Sequence, residues 1–217
     1  VMATLKHFVA NNTDYSRRAS NSVVSERALH EIYMPAFKSG IDAGAMAVMT
    51  SYNQVNGEWA GQSDYVINYL LRDQLGFKNL VMTDWWSVND VEALVKSGQD
   101  LEMPGGESMV DLKKLVEKGQ VDVKNIDRMV ISIIKTITQM GFLDHPIKDT
   151  TYLENFPQHE QVALNTAREG IVLLRNENRF LPIPEASSKN ILITGMFVTE
   201  NIYGGGSGEV DGYHIVT

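Results

Sequence analysis

At 217 residues, 43% hydrophobic and 21% charged, the chain has the ordinary make-up of a globular protein with room for a sizeable core. A net charge of −8, with Lys and Arg scattered, argues against a nucleic-acid or anionic-membrane surface, since both need clustered cations. The absence of cysteine excludes disulfides, thiolate metal sites and a Cys nucleophile. No apolar run approaches the roughly 18 residues of a membrane span. A neutral or cationic small molecule stays open as the partner.

The sequence opens on VMATLKHFVANN, which reads as the middle of a strand, so the chain is expected to begin inside a domain. TLKHFVA is a strand, followed by a polar, Asn-rich loop. SERALHEIYMPAFKSGIDAG carries Leu29, Ile32, Tyr33, Ala36, Phe37 and Ile41 at helical spacing, with Ser25 as N-cap. AMAVMTSYN is a short apolar run suited to a buried strand of a parallel sheet. SDYVINYLLRDQLG supplies a helix between Ser63 as cap and Gly76 as stop. NLVMTD, VNDVEALVKSG, DLEMP and SMVDLKKLVEKG continue as strand, helix, short strand and helix. DVKNIDRMVISIIKTITQMGFLD is a long helix capped by Asp122, with Val123, Ile126, Val130, Ile133, Ile137 and Met140 as its buried stripe.

The pattern then lapses into HPIKDTTYLENFP, where two prolines and mixed polarity mark a linker. The expected organisation is one domain over 1–143, a linker over 144–157 and the start of a second domain over 158–217. That second part has a helix in HEQVALNTAREGIVLLRNE, a strand in KNILITG and a glycine run, Gly204 to Gly208, too little to close a core. Repeated strand–helix units imply parallel strands joined by right-handed crossovers, in a barrel or a doubly wound sheet. His7, Tyr52, Asp84 and Glu102 all fall at or near strand ends. In an eight-stranded barrel those ends share one face, so the expected fold is α/β: part of a (β/α)₈ TIM-like barrel followed by the beginning of an α/β sandwich.

Asp84, in LVMTDWWSV, stands where a buried strand stops. It is either a cleft carboxylate beside an indole suited to the C–H face of a sugar, or the N-cap of the helix that follows. Lys6 and His7 lie in an otherwise apolar strand, where Lys6 should reach a carboxylate or a ligand hydroxyl. Met49 and Tyr52 end the second strand as core residues, unless Tyr52 hydrogen-bonds a nucleophilic carboxylate. Asp100 and Glu102, in QDLEMPGG, are the other cleft carboxylates, either partners for Asp84 or structural acceptors. Arg17 by itself is a solvated loop residue. The glycine run lacks the Lys-Ser/Thr pair of a phosphate loop, and the five histidines show no metal-ligand spacing, so neither metal nor cofactor is expected.

In order, KHFVANN with Arg17, SERALHEIYMPAF, VMTSYNQVNGEWAGQS, LLRDQLGFKNLVMTDWWSV, GQDLEMPGG, REGIVLLRNENRFLPIP and YGGGSGEV resemble glycoside hydrolase family 3 over nearly the whole chain. The resemblance implies a barrel followed by an α/β sandwich, in an enzyme that removes β-linked sugars, commonly glucose, from non-reducing ends with retention. Asp84 matches the family's nucleophile, with Thr83 in place of the usual Ser. Lys6, His7 and Arg17 match residues that hold sugar hydroxyls, Met49 and Tyr52 residues beside the nucleophile, and Trp85 an aromatic at the subsite boundary. By the same resemblance the earlier barrel strands precede Val1, and the acid/base Glu follows Thr217. KHFVANN departs from the KHFPGHG motif of the N-acetylglucosaminidase branch. The competing expectations are a catalytically silent carbohydrate-binding or structural module and a phosphate-binding barrel.

Overall fold

The computed structural model describes residues 1–145, 148–184, 190–195, 198 and 204–209. In chain order the elements are β1 (Thr4–Phe8), β2 (Asn21–Ser22), α1 (Glu26–Ala28), α2 (Met34–Asp42), β3 (Ala47–Thr50), β4 (Gln54–Val55) and β5 (Glu58–Trp59). Then come β6 (Leu80–Met82), α3 (Val91–Lys96), α4 (Leu112–Glu117), α5 (Val123–Gln139) and α6 (Phe156–Gly170). Two further segments, Leu29–Tyr33 and Tyr65–Gln74, are wound as π-helix. The described residues fall into two compact units, Val1–Asp149 and Thr150–Thr217.

The first unit is built on a parallel sheet in the order β1-β3-β6. Strand alternation sorts its side chains onto two faces. Val48 and Val81 join Leu29, Val66, Ile67, Leu70 and Leu71 in one core, where the intervening helices pack. Ala47, Met49, Leu80 and Met82 turn the other way and gather Met2, Trp85, Leu101, Met103 and Ile133. Both faces are therefore covered, which is why these strands read as continuous apolar runs. Beyond β6 the expected DLEMP strand contracts to a single parallel bridge, Leu101 to Met82. The result is an open arc of strand–helix units, part of a (β/α)₈ barrel.

The expected caps are in place. Ser25 accepts from the Ala28 N–H, the Ser63 hydroxyl from Val66, and Asp122 from Lys124. Gly76 ends its helix at φ +73°. Two helical faces differ from the expectation. Ile32 is exposed, because the wide turn Leu29–Tyr33 rotates it off the inward face that Leu29 and Met34 occupy. In α5, Val123 and Val130 face solvent, whereas Met129, Ser132 and Thr136 are buried. The reason is Asp100, which draws Ser132 and Arg128 inward and sets the helix rotation by polar contacts rather than by the apolar stripe.

A small second sheet, β2-β4-β5, had no counterpart among the expected elements. Its signal was present in QVNGEW: Asn56 and Gly57 both take positive φ, as a two-residue hairpin turn demands. In the second unit α6 begins at Phe156, inside the stretch read as linker, and no described residue there is buried. Residues 190–195 of KNILITG form no strand. The glycine run supplies a short 3₁₀ turn, Gly206–Gly208; Lys189 and the residues after Glu209 lie outside the described set.

Candidate active site

The carboxyl ends of β1, β3 and β6 bring His7, Tyr52 and Asp84 together. Asp84 is buried, and both its oxygens are held: Oδ2 lies 3.1 Å from His7 Nε2, and Oδ1 accepts from the Trp85 N–H at 2.8 Å. It does not cap the next helix. Asp90 does, accepting from the Ala93 N–H at 3.0 Å, so the N-cap alternative for Asp84 is overturned by the residue six positions on. Burial is the largest influence on His7 and pushes its pKa below the ordinary imidazole value; Lys6 and Arg17 add to this, against the opposing pull of Asp84 and Asp14.

Tyr52 is buried and its hydroxyl donates to the Trp85 carbonyl at 2.9 Å, with the Asp84 carboxylate also within its hydrogen-bonding reach. Burial and then the charge of Asp84 raise the Tyr52 pKa, while Arg18 opposes them. Arg17 and Arg18 each place a guanidinium carbon 4.7 Å from the centre of the Tyr52 ring. Arg17 is also paired with Asp14. Met49 is buried among Met82, Trp85 and Met103. Lys6 is exposed, with no carboxylate partner among the described residues.

Asp100 and Glu102 are committed elsewhere. Both oxygens of Asp100 are engaged: Oδ2 accepts from Arg72, Ser132 and the Val81 N–H, and Oδ1 from Arg128, at 2.7–2.9 Å. Glu102 caps a 3₁₀ turn, accepting from the Ser108 and Met109 N–H groups at 3.0 and 3.2 Å. Thr83 Oγ1 accepts from the Met103 N–H at 2.9 Å, tying the two strand ends together.

Sequence reasoning missed Arg18. Its Nη2 donates to the Trp85 carbonyl at 3.1 Å and to the Tyr52 hydroxyl at 3.3 Å. Nothing in TDYSRRAS distinguishes the arginine that reaches the strand end from its neighbour. Among the described residues no group of three or more acidic or imidazole side chains could hold a metal, and no helix is long and apolar enough to cross a membrane.

Glycosyl hydrolase family 3, N terminal domain, matches residues 1–136. "Beta-glucosidase B" of Emericella nidulans is 32% identical over 223 residues, covering 100% of this chain and 26% of the relative. "Exo-alpha-(1->6)-L-arabinopyranosidase" of Bifidobacterium breve is 32% identical over 219 residues, covering 97% of this chain and 28% of the relative. Among solved structures, beta-glucosidase 3B from Thermotoga neapolitana in complex with glucose superposes with a TM-score of 0.67 at 33% identity, covering 82% of this chain and 26% of that one. The chain thus spans about a quarter of the length of the relatives it matches.

Proposed function

This chain belongs to glycosyl hydrolase family 3, and from that membership and the setting of Asp84 we propose that it carries the nucleophile side of a retaining exo-β-glycosidase. On this reading residues 1–143 are the later part of the catalytic barrel, and 158–217 open the second domain. The substrate is a small oligosaccharide or glycoside with a terminal β-linked sugar, of which the glucosides named for the relatives are the first to try.

The observation that carries the proposal is the position of Asp84. It is a buried carboxylate at a strand's carboxyl end, aimed by His7 and by its own chain. Held in this way, it needs little reorganisation to attack an anomeric carbon. The carbon–oxygen bond to the leaving group breaks as the Asp84–C1 bond forms, and water then cleaves the glycosyl ester and restores the carboxylate. Lys6 and Arg17 stand ready to donate to sugar hydroxyls, with Met49 and Trp85 forming the apolar wall. Asp100 and Glu102 are bound into structural networks, and on this reading the acid/base carboxyl is the Glu that the family resemblance implies in the second domain. It belongs about 5–5.5 Å from Asp84. The 217 residues alone should accordingly bind sugar without efficient turnover of unactivated glycosides.

In the full-length enzyme, Asp84→Ala should lower kcat/KM for an aryl β-glucoside by roughly 10⁴-fold. Azide should restore turnover by attacking from the vacated side and releasing the α-glucosyl azide. An azide-rescued β product, or an Asp84→Ala enzyme of unchanged rate, would remove Asp84 from the nucleophile role.

A further inference from the structure

Arg18 reaches the strand ends from an exposed loop, without a carboxylate partner among the described residues. Its neighbour Arg17 is the opposite case, paired with Asp14. A turn brings both to one ring: Ser16 takes a left-handed backbone at φ +56°, and the Ala19 N–H donates to its carbonyl at 2.8 Å. Both guanidiniums then lie over Tyr52. Arg18 Nη2 goes on to donate to two oxygens beside the buried Asp84, the Trp85 carbonyl at 3.1 Å and the Tyr52 hydroxyl at 3.3 Å.

These two contacts bear on a competition for one proton. A phenol has a single O–H, and that of Tyr52 has two acceptors within reach, the Trp85 carbonyl at 2.9 Å and the Asp84 carboxylate. Leaving the carbonyl unpaired is costly, so a second donor on it lowers the cost of the phenol turning away. Arg18 already makes that bond. Its other contact, on the phenol oxygen, polarises the O–H and strengthens it as a donor. In keeping with this, Arg18 pulls the Tyr52 pKa down, against the burial and the Asp84 charge that raise it.

We propose that Arg18 is a positioning residue for the second half of the reaction, hydrolysis of the glycosyl-enzyme: it satisfies the Trp85 carbonyl so that the Tyr52 proton is available to Asp84. The proposal rests on the reading of Asp84 as the nucleophile. In the intermediate Asp84 is a neutral ester and a weak acceptor, and the phenol stays on the carbonyl. As water attacks C1, the ester C1–oxygen bond breaks, its electron pair returns to Asp84, and the water's proton passes to the acid/base carboxylate. The returning charge draws the Tyr52 proton, while Arg18 keeps the carbonyl paired. In the first half Asp84 loses charge, so the same hydrogen bond gives no acceleration there. Arg18 touches no reacting atom in either half.

The test is stopped-flow kinetics of the full-length enzyme with 2,4-dinitrophenyl β-glucoside, whose reactive leaving group makes the second step limit kcat. Arg18→Met keeps the apolar stem and removes every donor, and the exposure of Arg18 makes it a mild change for folding. It should lower kcat about tenfold while leaving kcat/KM within about twofold, so that KM falls with kcat and the glycosyl-enzyme accumulates. Arg18→Lys, which retains a charged donor, should recover part of kcat. In a Tyr52→Phe background, where no phenol proton exists to steer, Arg18→Met should add nothing further. Parallel losses of kcat and kcat/KM, no loss in either, or a full further loss in the Tyr52→Phe background would overturn the role of Arg18 and leave Asp84 as nucleophile. A wild-type enzyme with neither a burst nor a trapped adduct on Asp84 would remove the nucleophile reading and the role of Arg18 with it.

Discussion

His7 and Asp84 share one contact, and its behaviour with pH follows from the burial of the imidazole. Burial holds the His7 pKa below its unfolded value of 6.5, so between the two values the unfolded chain binds a proton that the folded chain resists. His7 therefore contributes no penalty above about pH 6.5, and stability falls as the pH drops through the folded pKa. Melting temperature measured from pH 7.5 to 5 in the full-length enzyme should decline with acid, and His7→Gln should flatten part of that decline. A steeper decline in the variant would contradict the direction of the shift. The Asp84–His7 pairing was legible as a candidate because both residues were placed at strand ends. Arg18 was not, since only the loop's three-dimensional path decides which of two adjacent arginines reaches Tyr52.

Among the elements, the strands and most helices were readable because apolar periodicity and cap residues agree at each of them. Ser25, Ser63, Gly76 and Asp122 all do locally what their chemistry suggests. The rotation of α5 was not readable, because hydrophobicity alone assigns Ser132 and Arg128 to the outside. Arg128 donates to the carbonyls of Gly98, Gln99 and Val95 as well as to Asp100, which makes it the main polar anchor of the helix on the sheet. Asp100→Asn leaves two guanidinium groups half-buried against a neutral amide. It should cost about 3–5 kcal/mol, the size expected when one partner of a buried ion network is removed. Urea denaturation would show this as a lower midpoint with little change in slope. A loss under 1 kcal/mol would mean that Asp100 is not what fixes α5. The N-G hairpin was readable in principle: two residues of positive φ between short apolar runs are its signature.

The molecule as a whole has an edge problem. β1 and the Leu101 bridge end the sheet on either side with no further strand among the described residues, and the described part of the second unit buries nothing. Unpaired edges of this kind invite pairing with other chains. The isolated 217 residues should therefore associate in a concentration-dependent way and bind a hydrophobic dye. A monomeric sample with one sharp, cooperative melt would contradict that.

The account turns on whether Asp84 forms a bond to sugar. The direct measurement is mass spectrometry of the full-length enzyme after incubation with a 2,4-dinitrophenyl 2-deoxy-2-fluoro-β-glucoside, whose leaving group departs without acid assistance. The account predicts a single fluoroglucosyl adduct on the peptide containing Asp84, absent in Asp84→Ala. An adduct on any other carboxylate, or none in an enzyme that hydrolyses ordinary glucosides, would contradict it.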